Sequence, residues 1–147
     1  MIMNEMFIHF YDELQNATMD NRLKWRPLRL YKNCENLEDC FQTADGMPDF
    51  GTNSIKLSGS FFAENPAVGT LFLIEVYHPT TDPVSGQIYL LAWAKDSLHP
   101  INLSSLFDVS QAKLRALKIR VENSWCNPDA DPEEIRHFIN NFLPNNK

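Results

Sequence analysis

The stretch from Val68 to Ala94 constrains the fold more than any other part of this chain. It reads VGTLFLIEVYH, then PTTDPVSG, then QIYLLAWA. Two long apolar runs flank a connection rich in Pro, Thr, Asp, Ser and Gly, which is the pattern of two antiparallel strands joined by a surface loop. In the first strand Phe72, Ile74 and Val76 share one face, and Leu71, Leu73, Glu75 and Tyr77 the other. In the second, Ile88, Leu90 and Ala92 oppose Tyr89, Leu91 and Trp93. Both faces are apolar, so both must be covered. Helices on one side, with more helix or a partner on the other, would do this.

The remaining elements follow from periodicity and capping. Met3, Met6, Phe7, Phe10 and Leu14 recur at helical spacing, so a helix is expected over Met3 to Gln15. Ile8 and Tyr11 widen its apolar face enough to touch two neighbours. Leu23 and Trp25 alternate with Arg22, Lys24 and Arg26, which suggests a strand that Pro27 confines to a sheet edge or breaks. Asn36 and Asp39 open a short helix over Leu37 to Thr43, and the run TADGMPDFGTN is a loop. Ile55, Leu57 and Phe61 read as a strand with one wet face, with a bulge at Gly59. A helix lies within 104–120, starting near Ser104 or at Ser110, and alternation from Leu117 suggests a further strand. The last helix follows Asp131 and Pro132. Its stripe Ile135, Phe138, Ile139, Phe142 and Leu143 predicts burial of Phe138 and Phe142 against the sheet. The fold expected is a single α+β domain. An antiparallel sheet of four to six strands is packed by an N-terminal helix, a C-terminal helix and one internal helix.

Length and charge narrow the function classes. A chain of 147 residues with 44% apolar residues can bury a stable core without a metal or disulfide. No apolar run reaches the roughly 18 residues of a membrane span. The start carries Glu5, Asp12 and Glu13 rather than the basic residues of a secretory leader, so a cytoplasmic location is expected. The three cysteines, Cys34, Cys40 and Cys126, are odd in number, and reduced thiols are expected. A zinc set of these three with His137 has an unfavourable first spacing. No cofactor is expected.

No glycine-rich phosphate loop, nucleophile elbow or paired-histidine metal helix occurs. His78 and His99 lie in loops at opposite ends of the hairpin, and His9 and His137 fall on polar helix faces. A site at a sheet end near His78 or His99 would make the chain a small enzyme or ligand-binding domain. The charges point elsewhere. Nine of the thirteen basic residues fall in the segments Arg22 to Lys32 and Lys113 to Arg120. Glu35, Glu38, Asp39, Asp45 and Asp49 form an acidic block without a base. Such runs usually only solvate a surface, but an acidic block can also speed capture of a basic protein. Reversing Glu38, Asp45 and Asp49 to Lys is expected to slow association more than it speeds dissociation and to change folding little. Tyr77, Tyr89 and Trp93 would make a binding platform if they share one sheet face, or a core under a helix.

The net charge of −6 and the lack of a recognition motif make nucleic acid an unfavourable partner. The function expected is a small acidic protein-binding module, such as an immunity-type inhibitor of a basic toxin or a dedicated chaperone. A homo-oligomer covering the second sheet face is a third reading.

Overall fold

A computed structural model of the chain describes residues 2–32, 36–80, 82–125 and 132–142. The central hairpin forms as its sequence requires. Strands β4 (Gly69–His78) and β5 (Asp82–Ala94) pair antiparallel from Gly69↔Ala94 to Tyr77↔Gly86, with a register shift after Tyr77. Around them lie β1 (Arg26–Pro27), β2 (Ser54–Ile55), β3 (Phe61–Asn65) and β6 (Ile101–Asn102). The antiparallel sheet runs β1-β3-β4-β5-β6, and β2 pairs with β4 beyond the end of β3. Among the described residues five helices complete the α+β fold: α1 (Ile2–Met19), α2 (Leu37–Phe41), α3 (Leu103–Leu106), α4 (Gln111–Trp125) and α5 (Pro132–Asn141).

The alternating faces read from sequence are the faces of the two cores. Leu73, Ile88 and Leu90 join Phe61 and Ala63 beneath Tyr11 and Leu14 of α1 and Leu114, Leu117 and Val121 of α4. Phe62, Phe72, Ile74, Val76 and Leu91 point the other way. They are covered by Leu28, Phe41 and Ala44, with Tyr31, Met47 and Phe50 at the margin. The chain's own residues 28–31 and 37–50 therefore fill the role that a partner or second copy would have had on this face.

Several local expectations are corrected. Residues 22–31 contribute only Arg26 and Pro27 to the sheet, at its edge, while Leu28–Leu30 coil into a 3₁₀ turn. The strand expected across Ile55 to Phe61 is two strands, separated by a 3₁₀ turn at Leu57–Gly59. No strand begins at Leu117. Residues 114, 117 and 121 have helical spacing and are fully buried, whereas Ile119, which the alternation would bury with them, is exposed. The choice between Ser104 and Ser110 as a helix start resolves into two helices. Asn102 Oδ1 accepts the Ser105 amide at α3, and Ser110 Oγ accepts the Lys113 amide at α4.

The largest correction concerns α5. Phe138 and Phe142 are 62% and 66% exposed, with their ring centroids 4.9 Å apart, and Ile139 is exposed beside them. These three residues of the stripe do not bury against the sheet.

β6 is too short to satisfy the outer edge of β5, so side chains extend the ladder. The Gln111 side chain accepts the Ile88 amide at 2.8 Å and donates to the Ile88 carbonyl at 2.9 Å. Ser104 Oγ accepts the Leu90 amide at 3.2 Å. These bonds fix α3 and α4 on the sheet and close an edge that would otherwise offer open backbone groups.

Candidate functional site

The residues singled out by sequence do not form one site. Glu35, Cys34, Cys126 and Asp131 lie outside the described residues. Glu38 is half-buried, and its Oε2 accepts the Ile55 amide at 3.1 Å. Asp49 is exposed, but its Oδ1 accepts the Gly51 amide at 2.8 Å and holds a turn. Only Asp39 and Asp45 are exposed acids of the block with no such bond to a backbone amide in the described residues. Reversing Glu38 and Asp49 would remove acceptors of the Ile55 and Gly51 amides as well as surface charge.

The aromatic platform is split. Tyr89 and Trp93 lie on the face of Phe72 and Leu91, where Trp93 donates from Nε1 to the Ser97 carbonyl at 2.9 Å. Burial raises the Tyr89 pKa above its ordinary value. Tyr77 sits opposite Gly86, on the same face as Glu75 and Leu73, because strand side chains alternate. His78 and His99 are at opposite ends of the hairpin. His78 lies within hydrogen-bonding distance of Thr80 Oγ1, while His99 is exposed after β5. Among the described residues no three His, Cys, Asp or Glu side chains are placed to share a metal ion.

What the structure does bring together is an apolar groove beside α1. The apolar residues of this helix divide into two stripes. Tyr11 and Leu14 are buried, with Phe7 partly buried against the same core. Phe7 stacks on Phe107 with centroids 4.1 Å apart, and Tyr11 donates its hydroxyl to the Lys113 carbonyl at 2.9 Å. Met3, Met6 and Phe10, which the sequence assigns to the same buried face, are 62%, 66% and 40% exposed. They continue at helical spacing into Glu13 and Ala17, on the flank of α1 turned away from α4.

On that flank, α1 and the Gly69 end of the sheet enclose a groove of about 550 Å³. Phe10, Leu14 and Ala17 form one wall, and Leu71, Ala92 and Leu103 the other. Glu13, Glu64 and Arg22 line its mouth. The second neighbour expected of α1 from its wide apolar face has a place here, and the described chain leaves it open. The missed signal was the position of Ala17, Ala63 and Ala92. Small side chains where the pattern allows larger ones leave room for another element.

Comparison with protein-family models, curated proteins and solved structures gives no match. No helix among the described residues is long and apolar enough to cross a membrane.

Tyr11, on the side of α1 that meets α4, carries a pH-dependent prediction. Burial raises its pKa from 10.0 to about 12, and nearby Arg120 offsets part of that rise. A raised pKa means that the neutral phenol is favoured in the fold. Its contribution is fully present below about pH 10, the unfolded value, and is lost as pH rises through about 12. The native protein should lose roughly 2 kcal/mol more than Tyr11→Phe between these limits. Denaturant titrations of both proteins at stepped alkaline pH check this. Parallel losses would show that Tyr11 does not carry the effect.

Proposed function

We propose that this chain is a non-catalytic protein-binding module that captures a partner by laying an apolar, positively charged segment of it along the α1 groove. The observation that carries this reading is the open groove of about 550 Å³, continuous with the exposed row Met3, Met6 and Phe10. Exposed apolar surface of this kind is unfavourable unless something covers it, and a helix-in-groove contact reads anchors at three- and four-residue spacing, the spacing of that row. Glu13 and Glu64, against the single Arg22, make the mouth net acidic and favour a basic segment. Asp39 and Asp45 would add to long-range attraction without being contacts. A dedicated chaperone fits this arrangement better than an inhibitor built on an acidic face, because the recognition surface is chiefly apolar. A cytoplasmic setting suits either.

The test is a selection of random peptides of about four helical turns on the immobilised protein. Enriched peptides should carry apolar residues at three- and four-residue spacing with Lys or Arg between them. They should bind Ala17→Arg at least about tenfold more weakly, equivalent to about 1.4 kcal/mol. Glu13→Lys, an exposed change that leaves the core intact, should weaken them less and remove part of their salt dependence. Peptides without a shared pattern, or with equal affinity for native protein and Ala17→Arg, would refute the reading.

A further inference from the structure

The seam between the end of α1 and α4 holds a cation with too few partners. Arg120 lies on α4, and its Nε is buried with no hydrogen-bond acceptor among the described residues. Those residues give it no carboxylate partner either. Its one acceptor there is Met19, the last residue of α1, whose Sδ receives a hydrogen bond from Nη1. A thioether sulfur is a weak acceptor, whereas oxygen acceptors bond a guanidinium strongly. Met19 is also 57% exposed, so a small oxidant can reach its sulfur from solvent.

We propose that Met19 is a site of reversible oxidation by hydrogen peroxide, and that Arg120 holds the sulfoxide formed. A lone pair of Sδ takes one oxygen of the peroxide, the O–O bond breaks, and the leaving hydroxide picks up a proton to become water. The sulfur is oxidised by two electrons and the peroxide is reduced by two. The new sulfoxide oxygen replaces the sulfur as the acceptor of Nη1. Methionine oxidation ordinarily disrupts packing, because it makes an apolar side chain polar. Here the side chain is already half in water and faces an under-satisfied cation, so oxidation tightens α1 against α4. Methionine sulfoxide reductases reverse the step. Met3 and Met6 are as exposed as Met19, but no described residue donates to them, so their oxidation brings no such gain.

Urea unfolding of the full chain before and after hydrogen peroxide treatment tests this. The chain carries Met3→Leu and Met6→Leu, and peptide mass mapping follows oxidation at Met19. Oxidation should lower the unfolding equilibrium constant at least about fivefold, relative to the same chain with Met19→Leu, which corrects for the remaining methionines. Adding Arg120→Leu should abolish the gain. That change removes a buried donor without an acceptor and leaves Leu117 and Val121 of the core in place. A second readout does not depend on stability. Reductases should restore oxidised Met19 several-fold more slowly in the chain with Arg120 than in Arg120→Leu. A Met19 that peroxide leaves unmodified in the folded protein, a stability that does not rise, a gain that persists in Arg120→Leu, or equal rates of reduction would each overturn the proposal. None of these results touches the docking role of the α1 groove, which stands or falls on whether selected peptides discriminate Ala17→Arg.

Discussion

Lys118→Ala is expected to destabilise the fold by about 3–5 kcal/mol, the range for removing one partner of a buried ion pair. Glu75 is 4% exposed on β4, and its Oε1 receives Lys118 Nζ of α4 at 2.6 Å. Lys56 Nζ is 3.9 Å from Oε2, too far to replace that contact. The surroundings are shaped for the carboxylate. A Cβ at Gly59 or Gly86 would lie 2.6 Å from one of its oxygens. Ser60 Oγ accepts the Glu75 amide at 2.9 Å, and Arg115 binds the Gly86 carbonyl. Removing Lys118 leaves a buried charge with only the more distant, half-exposed Lys56 as counterion, which costs far more than an exposed pair would. Urea unfolding of the single variant, and of Glu75→Gln with Lys118→Met, measures it. The double variant should recover most of the loss, because an amide needs no counterion. A single-variant loss under about 1 kcal/mol would mean that Lys56 suffices.

Phe72→Ala is the second large effect, about 3–5 kcal/mol for deletion of a buried aromatic. Phe72 is fully buried, and the rings of Tyr31, Phe41 and Trp93 pack on it, with Tyr31 and Phe41 edge-on at 5.1 and 4.9 Å. Chemical denaturation gives the stability, and hydrogen exchange gives the location. Protection should fall first at Leu28 and Phe41. A small, uniform loss would show that this layer is not anchored on Phe72.

The sheet was legible because its signals are local. β4 and β5 are long, alternate on both faces and are separated by turn residues, so their faces could be assigned before their register. Other features depend on what lies across space. Leu117, Ile119 and Val121 satisfy strand alternation, and only Leu114 at helical spacing shows which periodicity governs burial. The α5 stripe is equally clear in sequence, yet an amphipathic helix states that it needs a cover, not where the cover is. Glu38 and Asp49 look like free acids until the backbone amides that they accept are seen. The groove was least visible, because it is made by Ala17, Ala63 and Ala92, residues that signal nothing on their own. Its outline was present only as the excess width of the α1 apolar face.

The most direct test of the groove as the docking surface is a methyl NMR titration with an enriched peptide. The reporters are Leu14, Leu23, Val68, Leu71 and Leu103. The account predicts saturable shifts at these methyls, with Leu73, Leu90 and Leu114 beneath the helices unmoved. Shifts confined to Leu37 and Ile55, beside Glu38 and Asp39, would contradict it and return the docking site to the acidic segment.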